Sequence, residues 1–304
     1  TPPPGGPPVF TGLSAFPLTP LDDDRLDEHA YATLVTRLAG AGVDSIGALG
    51  STGSYAYLTR DERARAVQLA VRHAAGTPVI AGIGALRTRH VLQHADDAQQ
   101  AGAAAVLLAP VSYQPLTADE VYHLYEQVTA ALSVPLVVYD NPRTTGFTFT
   151  DDLYAAVAKL PHVASVKVPP LPADAAIAAD RVATLRALLP PAVTIGVSGD
   201  HVAAVSLRAG CDAWYSVIAG TLPDLALPIT RAGSPAAARA ASDRLRPLFE
   251  VFAAHGSLRV VAAIAEHLGL AGPGCLPSPL RPLDPAARAR VVRALAAVEA
   301  TGPA

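Results

Sequence analysis

Short apolar, β-branched runs alternate with longer stretches of helical periodicity along most of this chain, and that alternation constrains the fold more than any other feature. Strands buried on both faces read as near-continuous hydrophobic runs, and joining parallel strands needs a crossover, usually a helix. Eight such runs stand at 9–16, 43–49, 78–83, 104–108, 135–139, 163–168, 193–197 and 212–217. Helices are expected between them, for example over 27–39, 60–73, 88–101, 118–132 and 171–189. Thr59 with Glu62, and Thr117 with Glu120, have capping-box spacing. Gly42, Gly76, Gly102 and Gly210 fall just past helix ends, where a left-handed residue is commonly needed. Eight βα units predict an α/β fold, a (β/α)8 TIM barrel. An open doubly wound sheet is the second choice, because no GxGxxG follows the first strand.

The barrel core is expected over residues 9–223. Residues 224–304, mostly helical and rich in Ala, Arg and Leu, exceed one closing helix and predict a C-terminal helical extension packed on the barrel or on a partner subunit. Residues 1–8 (TPPPGGPP) read as a mobile tail and lack the charged and apolar regions of a signal peptide. At 51% hydrophobic and 16% charged, the chain has material for a large core. No run reaches the roughly 18 strongly apolar residues of a membrane span, so no membrane partner is expected. Net charge is −3 with Lys and Arg scattered, unlike a nucleic-acid binder. Cys211 and Cys275 form no CxxC and no disulfide framework, so a cytoplasmic location is expected.

Of the 23 Lys and Arg residues only Lys159 and Lys167 are lysines, so each asks for its own explanation. Lys159 lies near a helix end, where a cation suits the helix dipole. Lys167 sits in the sixth run, VASVKV, where alternation puts Val163, Ser165 and Lys167 on one face and Ala164, Val166 and Val168 on the other. With the second set against the helices, Lys167 points into the barrel near the strand's C-terminal end, where these barrels build active sites. Burial lowers a lysine's pKa, and a neutral amine can attack a ketone to form an imine, which an arginine cannot. The bland alternative is a lysine paired with an acid across the barrel mouth. The residues alone leave both readings open.

Three other strand ends carry suitable polar groups. Gly50-Ser51-Thr52-Gly53-Ser54 brackets two hydroxyls with glycines and offers donors to a small anion such as a carboxylate, although such clusters are usually just turns. Tyr139 shares the inward phase of Val137, so its phenol is expected to face the lysine and shuttle a proton; an aromatic lid on the core is the alternative. Tyr113 follows the fourth strand and could approach the same mouth. Ser198-Gly199-Asp200-His201 offers donors after the seventh.

These motifs, with the opening GLSAFPLTP of residues 12–20, resemble in order and spacing the dihydrodipicolinate synthase/N-acetylneuraminate lyase (DapA-like) family, over about residues 10–223. The resemblance implies a Schiff-base-forming lyase or aldolase acting on pyruvate or a related 2-oxo acid, a barrel with a C-terminal helical region, a homotetramer (or a dimer), and no metal or organic cofactor. Lys167 matches the Schiff-base lysine. Tyr139 matches the proton-relaying tyrosine, and Thr52 the hydroxyl beside it. Ser51 and Thr52 match the pyruvate carboxylate site. Gly199 and Tyr215 match pocket-lining positions, and Ser216 a pocket serine of the sialic-acid lyases.

Departures narrow the substrate. Synthase members carry Tyr-Asn-x-Pro-x-Arg, whereas Tyr139 here is followed by Asp140, Asn141, Pro142, Arg143 and Thr144, which moves the arginine one residue early. Ser54 replaces an acid, and Ser112-Tyr113 replaces a tandem aromatic, which leaves Tyr113's part in a relay open. These changes favour cleavage or dehydration of a 2-oxo sugar acid or another hydroxy-2-oxo acid. The alternatives are a true 4-hydroxy-tetrahydrodipicolinate synthase and a non-catalytic barrel that binds a 2-oxo acid. His90 and His94, four apart with Asp97 nearby, have metal-ligand spacing but lie on an outer helix without a convincing third ligand, so no metal site is expected.

Overall fold

In the computed structural model, which describes residues 10–301, β1 (Gly12–Ala15), β2 (Ser45–Ala48), β3 (Val79–Gly82), β4 (Ala105–Leu108), β5 (Leu136–Tyr139), β6 (Val163–Val168), β7 (Thr194–Val197) and β8 (Ala213–Ser216) close a barrel. Each pairs parallel with its sequence neighbour, and β8 returns to β1. These are the eight expected runs, the sixth with the expected bounds and the others shorter by one or more residues, and the chain is a (β/α)8 TIM barrel. The expected N-terminal tail at 1–8 lies outside the described residues. The helices that follow the strands are α1 (Glu28–Ala41), α2 (Arg60–His73), α3 (Thr88–Gln100), α4 (Ala118–Thr129), α5 (Asp151–Val157), α6 (Ala175–Leu188), α7 (Ala203–Arg208) and α8 (Pro223–Thr230).

Local chemistry sets the helix ends. Thr59 and Thr117 both close reciprocal capping boxes with Glu62 and Glu120. Gly42 ends α1 in the left-handed region (φ 78°), with its N–H donating to Ala39 and Leu38 carbonyls. The helix expected from residue 171 begins only at Ala175, because Asp174 takes the cap and accepts from the Ala176 and Ile177 amides.

Beyond α8 come α9 (Pro235–Arg244), α10 (Arg246–His255), α11 (Ser257–His267) and α12 (Pro285–Ala300). Val261, Ala262 and Ala265 of α11, with Leu276, pack on Leu18 and Leu34. Leu21 donates its amide to the Cys275 carbonyl at 3.0 Å. This extension therefore buttresses the connection after β1, at the C-terminal end of the barrel. Among the described residues no single helix is long and apolar enough to cross a membrane.

Apolar side chains form an outer layer between strands and helices and a separate cluster inside the barrel. The inner cluster includes Phe16, Leu107, Val137, Tyr139 and Tyr215. Glycines make room for its rings: a Cβ on Gly47 would lie 2.4 Å from the Phe16 ring, and one on Gly196 would lie 2.1 Å from that of Tyr215. The two rings meet edge to face at 6.0 Å.

The start of β6 departs from strict alternation. Leu136 pairs with Val163 but Val137 pairs with Ser165, so Ala164 is the extra residue of a bulge. Val163 consequently packs in the outer layer and Ala164 against the inner cluster, the reverse of the expected phase. Past the bulge the alternation holds: Val166 and Val168 face the helices, while Ser165 and Lys167 face inward.

Candidate active site

Lys167 lies one residue from the C-terminal end of β6 and is only 4% exposed. Its Nζ sits 3.8 Å from the ring centre of Phe16, 4.1 Å from that of Tyr139 and 5.4 Å from that of Tyr215. No hydrogen bond or ion pair engages it among the described residues, which argues against the bland alternative of a paired structural lysine. Burial drives its pKa down to about 7, against the pull of the Asp200 carboxylate. A substantial fraction is therefore neutral amine near neutral pH.

Asp200 is itself buried after β7, and its pKa is raised by that burial. Its oxygens accept from the Trp214 indole at 3.0 Å, Val217 N–H at 3.2 Å and Ile218 N–H at 2.8 Å. These donors pull the other way and hold the carboxylate off the lysine. It acts on Lys167 through its field and ties the end of β7 to the end of β8.

Tyr139 is directly opposite Lys167 in the β5–β6 register. Burial raises its pKa, the negative charge of Asp140 adds to the rise, and the Ser51 hydroxyl opposes it. The phenol oxygen is 3.4 Å from Ser51 Oγ and accepts from Asn141 Nδ2 at 2.9 Å. Nδ2 also reaches Ser51 Oγ at 3.2 Å.

The loop after β2 supplies Ser51 and Thr52. Leu49 and Ser54 bracket it with positive φ (57° and 53°), a costly conformation for non-glycine residues that recurs at functional sites. A Cβ on Gly50 would strike Phe16 at 2.4 Å, so the loop lies directly on the ring that covers the lysine.

The hydroxyl beside the Tyr139 phenol thus belongs to Ser51, not to Thr52 as the resemblance implied, because the strained turn aims consecutive side chains in different directions. Thr52 is 6% exposed and its hydroxyl has no protein partner among the described residues. Gly199 (φ 89°) lies so close to Pro170 that a Cβ would approach it to 2.6 Å. Tyr215 lies inside the barrel, with its hydroxyl 2.8 Å from Ser165 Oγ.

Two expected pocket residues stand elsewhere. Ser216 follows inward Tyr215, so alternation sends it to the opposite face with Trp214; it accepts the Ala219 amide at 3.0 Å and supports Asp200. Tyr113 is 89% exposed and stands in solvent, away from the lysine cluster. Arg143 and Thr144 are also exposed. At the outer helix, Asp97 is engaged by Arg60 at 2.7 and 2.8 Å, and His94 is driven to about 4, first by burial and then by the nearby charge of Arg63.

Sequence reasoning missed Phe16 and Asn141 as neighbours of the lysine and tyrosine. Asn141 had a readable signal, since it stands two residues beyond Tyr139 and so continues the same face. The approach of Phe16 depends on glycines from another strand and had none.

The constellation is an unpaired buried amine beside a phenol and the hydroxyl of the loop after β2, at the C-terminal mouth of a parallel barrel. Comparison with known proteins points the same way. The model of the Dihydrodipicolinate synthetase family matches residues 9–298. A DapA-like lyase of Halobacterium salinarum is 33% identical over 298 residues, covering 95% of this chain and 92% of the relative. A 4-hydroxy-tetrahydrodipicolinate synthase of Phenylobacterium zucineum is 30% identical over 300 residues, covering 97% and 98%. The crystal structure of a dihydrodipicolinate synthase from Agrobacterium tumefaciens superimposes with a TM-score of 0.91 at 46% identity, covering 95% of this chain and 98% of that one. The chain belongs to the dihydrodipicolinate synthetase family, a family of lyases acting on small molecules.

Proposed function

We propose that this protein forms a Schiff base between Lys167 and pyruvate or a related 2-oxo acid, and that it cleaves or joins a carbon–carbon bond, or eliminates water, next to that imine. The observation that carries the reading is the Lys167 nitrogen, buried, unpaired and brought to about 7, with its neighbour Tyr139 opposite it in register.

The neutral amine attacks the C2 ketone to give a carbinolamine. Tyr139 supplies the proton with which hydroxide leaves as water, and an iminium remains. In the cleavage direction, loss of the C4 hydroxyl proton and rupture of C3–C4 release an aldehyde, while the bond pair moves into the iminium as an enamine. Protonation at C3 and addition of water then free pyruvate and the amine. Thr52, whose hydroxyl lacks a protein partner, is assigned with Ser51 and their loop amides to the substrate carboxylate. Gly199 and Tyr215 are assigned to the pocket wall.

Arg143 and Thr144 both stand exposed, which favours a hydroxy-2-oxo acid, such as a 2-oxo sugar acid, over an aldehyde partner whose own carboxylate needs an arginine. The synthase names of the relatives favour the second reading, a true 4-hydroxy-tetrahydrodipicolinate synthase.

A homotetramer or dimer is part of the proposal. Tyr57, Leu86 and Tyr113, exposed on the loops after β2, β3 and β4, support self-association. Buried, unbridged Cys211 and Cys275, with thiols raised to about 12 by burial, fit a cytoplasmic setting.

Borohydride added with pyruvate tests the chemistry: a permanent mass increase on Lys167 is expected. A folded protein with unmodified Lys167 would mean a barrel that binds without reacting. Pyruvate release from a panel of 2-oxo-3-deoxy sugar acids, set against condensation assays, then separates the two substrate readings.

A further inference from the structure

Asn141 stands two residues beyond Tyr139, and its side chain turns back over the end of β5. Its Nδ2 lies 2.9 Å from the Tyr139 phenol oxygen and 3.2 Å from Ser51 Oγ, and those two oxygens are 3.4 Å apart. A carboxamide nitrogen has two protons to give and accepts none, so it donates to both oxygens. The backbone holds this arrangement. The Asn141 carbonyl accepts from Thr144 N–H and Thr145 N–H at 3.1 Å and from Thr145 Oγ1 at 3.0 Å, which anchors the single turn Pro142–Thr145.

We propose that Asn141 is a positioning residue for the proton chemistry of Tyr139: its carboxamide donates to the phenol oxygen and stabilises the phenolate that forms when Tyr139 gives up its proton. The inference rests on the role of Tyr139 and Lys167 proposed above and deepens it.

The need for such a donor follows from the surroundings. Burial and the Asp140 charge both resist ionisation of Tyr139, and Ser51 is the group that eases it. The titratable groups facing Tyr139 are Lys167 across the β5–β6 register, Asp140 on its own strand end, buried Tyr55 beyond the β2 loop, and Tyr125, whose hydroxyl meets the Tyr139 backbone. Lys167 cannot serve as a constant counter-charge, because it must be neutral to attack. A neutral amide that donates in every protonation state fills the gap without restoring a proton to the lysine.

Wild-type protein and the Asn141→Asp and Asn141→Leu variants are mixed with pyruvate and borohydride across the pH range in which lysine and tyrosine titrate. The rate of Lys167 trapping is followed by intact mass. The fully trapped mass is expected to be unchanged in both variants, while the rate falls roughly 10- to 100-fold, as for loss of one hydrogen bond to a developing charge. The alkaline limb of the profile should move to higher pH, further in the Asp variant because a carboxylate repels the phenolate. Asp fills the same volume as Asn, so a merely space-filling side chain predicts wild-type rate and profile, and that result overturns the inference. Should circular dichroism show the Asp variant unfolded, the Leu variant decides on the same two readouts. No trapping in wild type overturns the Lys167 reading itself and takes this inference with it.

Discussion

Tyr139 and Lys167 stand opposite each other on adjacent parallel strands, and the lysine nitrogen rests 4.1 Å from the centre of the tyrosine ring. The pairing follows from the bulge at Ala164. Were Ala164 paired with Val137 and not bulged, Val166 would stand opposite Tyr139 and Lys167 would turn to the outer face. One irregular residue at the start of β6 thus sets the lysine against the phenol at its end.

Replacing Tyr139 by Phe keeps the ring and removes the proton carrier. Turnover is expected to fall by roughly two to four orders of magnitude, the usual range for a lost general acid–base. Packing should be little changed, so thermal unfolding should stay close to wild type. Steady-state kinetics beside a melting curve check both; an active Phe variant would remove Tyr139 from the mechanism.

Ser51 and Thr52 are adjacent, yet it is the Ser51 hydroxyl that lies beside the Tyr139 phenol. Ser51→Ala removes a neighbour of the phenol as well as a donor assigned to the carboxylate, and is expected to lower kcat and raise KM together. Thr52→Val removes an unpartnered hydroxyl assigned to the carboxylate, and should raise KM for pyruvate with a smaller effect on kcat. The reverse pattern would return Thr52 to the phenol.

Much of this arrangement was readable in the chain and some was not, for physical reasons. The barrel strands announced themselves because burial on both faces leaves short unbroken apolar runs, and Lys167 stood out in a chain that otherwise favours arginine. The inversion of Val163 and Ala164 was not readable, because a bulge is a property of two strands together. The turn through left-handed Leu49 and Ser54, which gives the phenol to Ser51, likewise has no local sequence signal. Ser216 is different: once Tyr215 is placed inside the barrel, alternation sends the next residue outward.

The glycines inside the barrel make a prediction about stability. A Cβ at position 196 would sit 2.1 Å from the Tyr215 ring, whose hydroxyl is committed to Ser165 and whose edge packs on Phe16. Gly196→Ala is therefore expected to cost about 1–3 kcal/mol, as overpacked cores do. The displaced ring should also weaken the cover over Lys167. An unchanged urea midpoint would show that the ring moves freely and is no fixed wall.

Lys167 leaves a signature in how stability depends on pH. The folded pKa is about 7 against a lysine's ordinary 10.5. Between those values the unfolded chain binds the additional proton, so the lysine's contribution makes stability rise with pH across that window. Below it both states are protonated and the folded state bears the full cost of a buried charge, on the order of 5 kcal/mol for such a shift. Above it both states are neutral and the cost is gone. Lys167→Met should therefore abolish imine trapping and stabilise the protein, most on the acid side of the window and least at its alkaline end. Chemical denaturation of both proteins at several pH values measures the difference, which cancels the contributions of other titrating groups. A difference that stayed flat with pH would mean the amine keeps its ordinary proton affinity in the fold, and could not be the nucleophile at neutral pH.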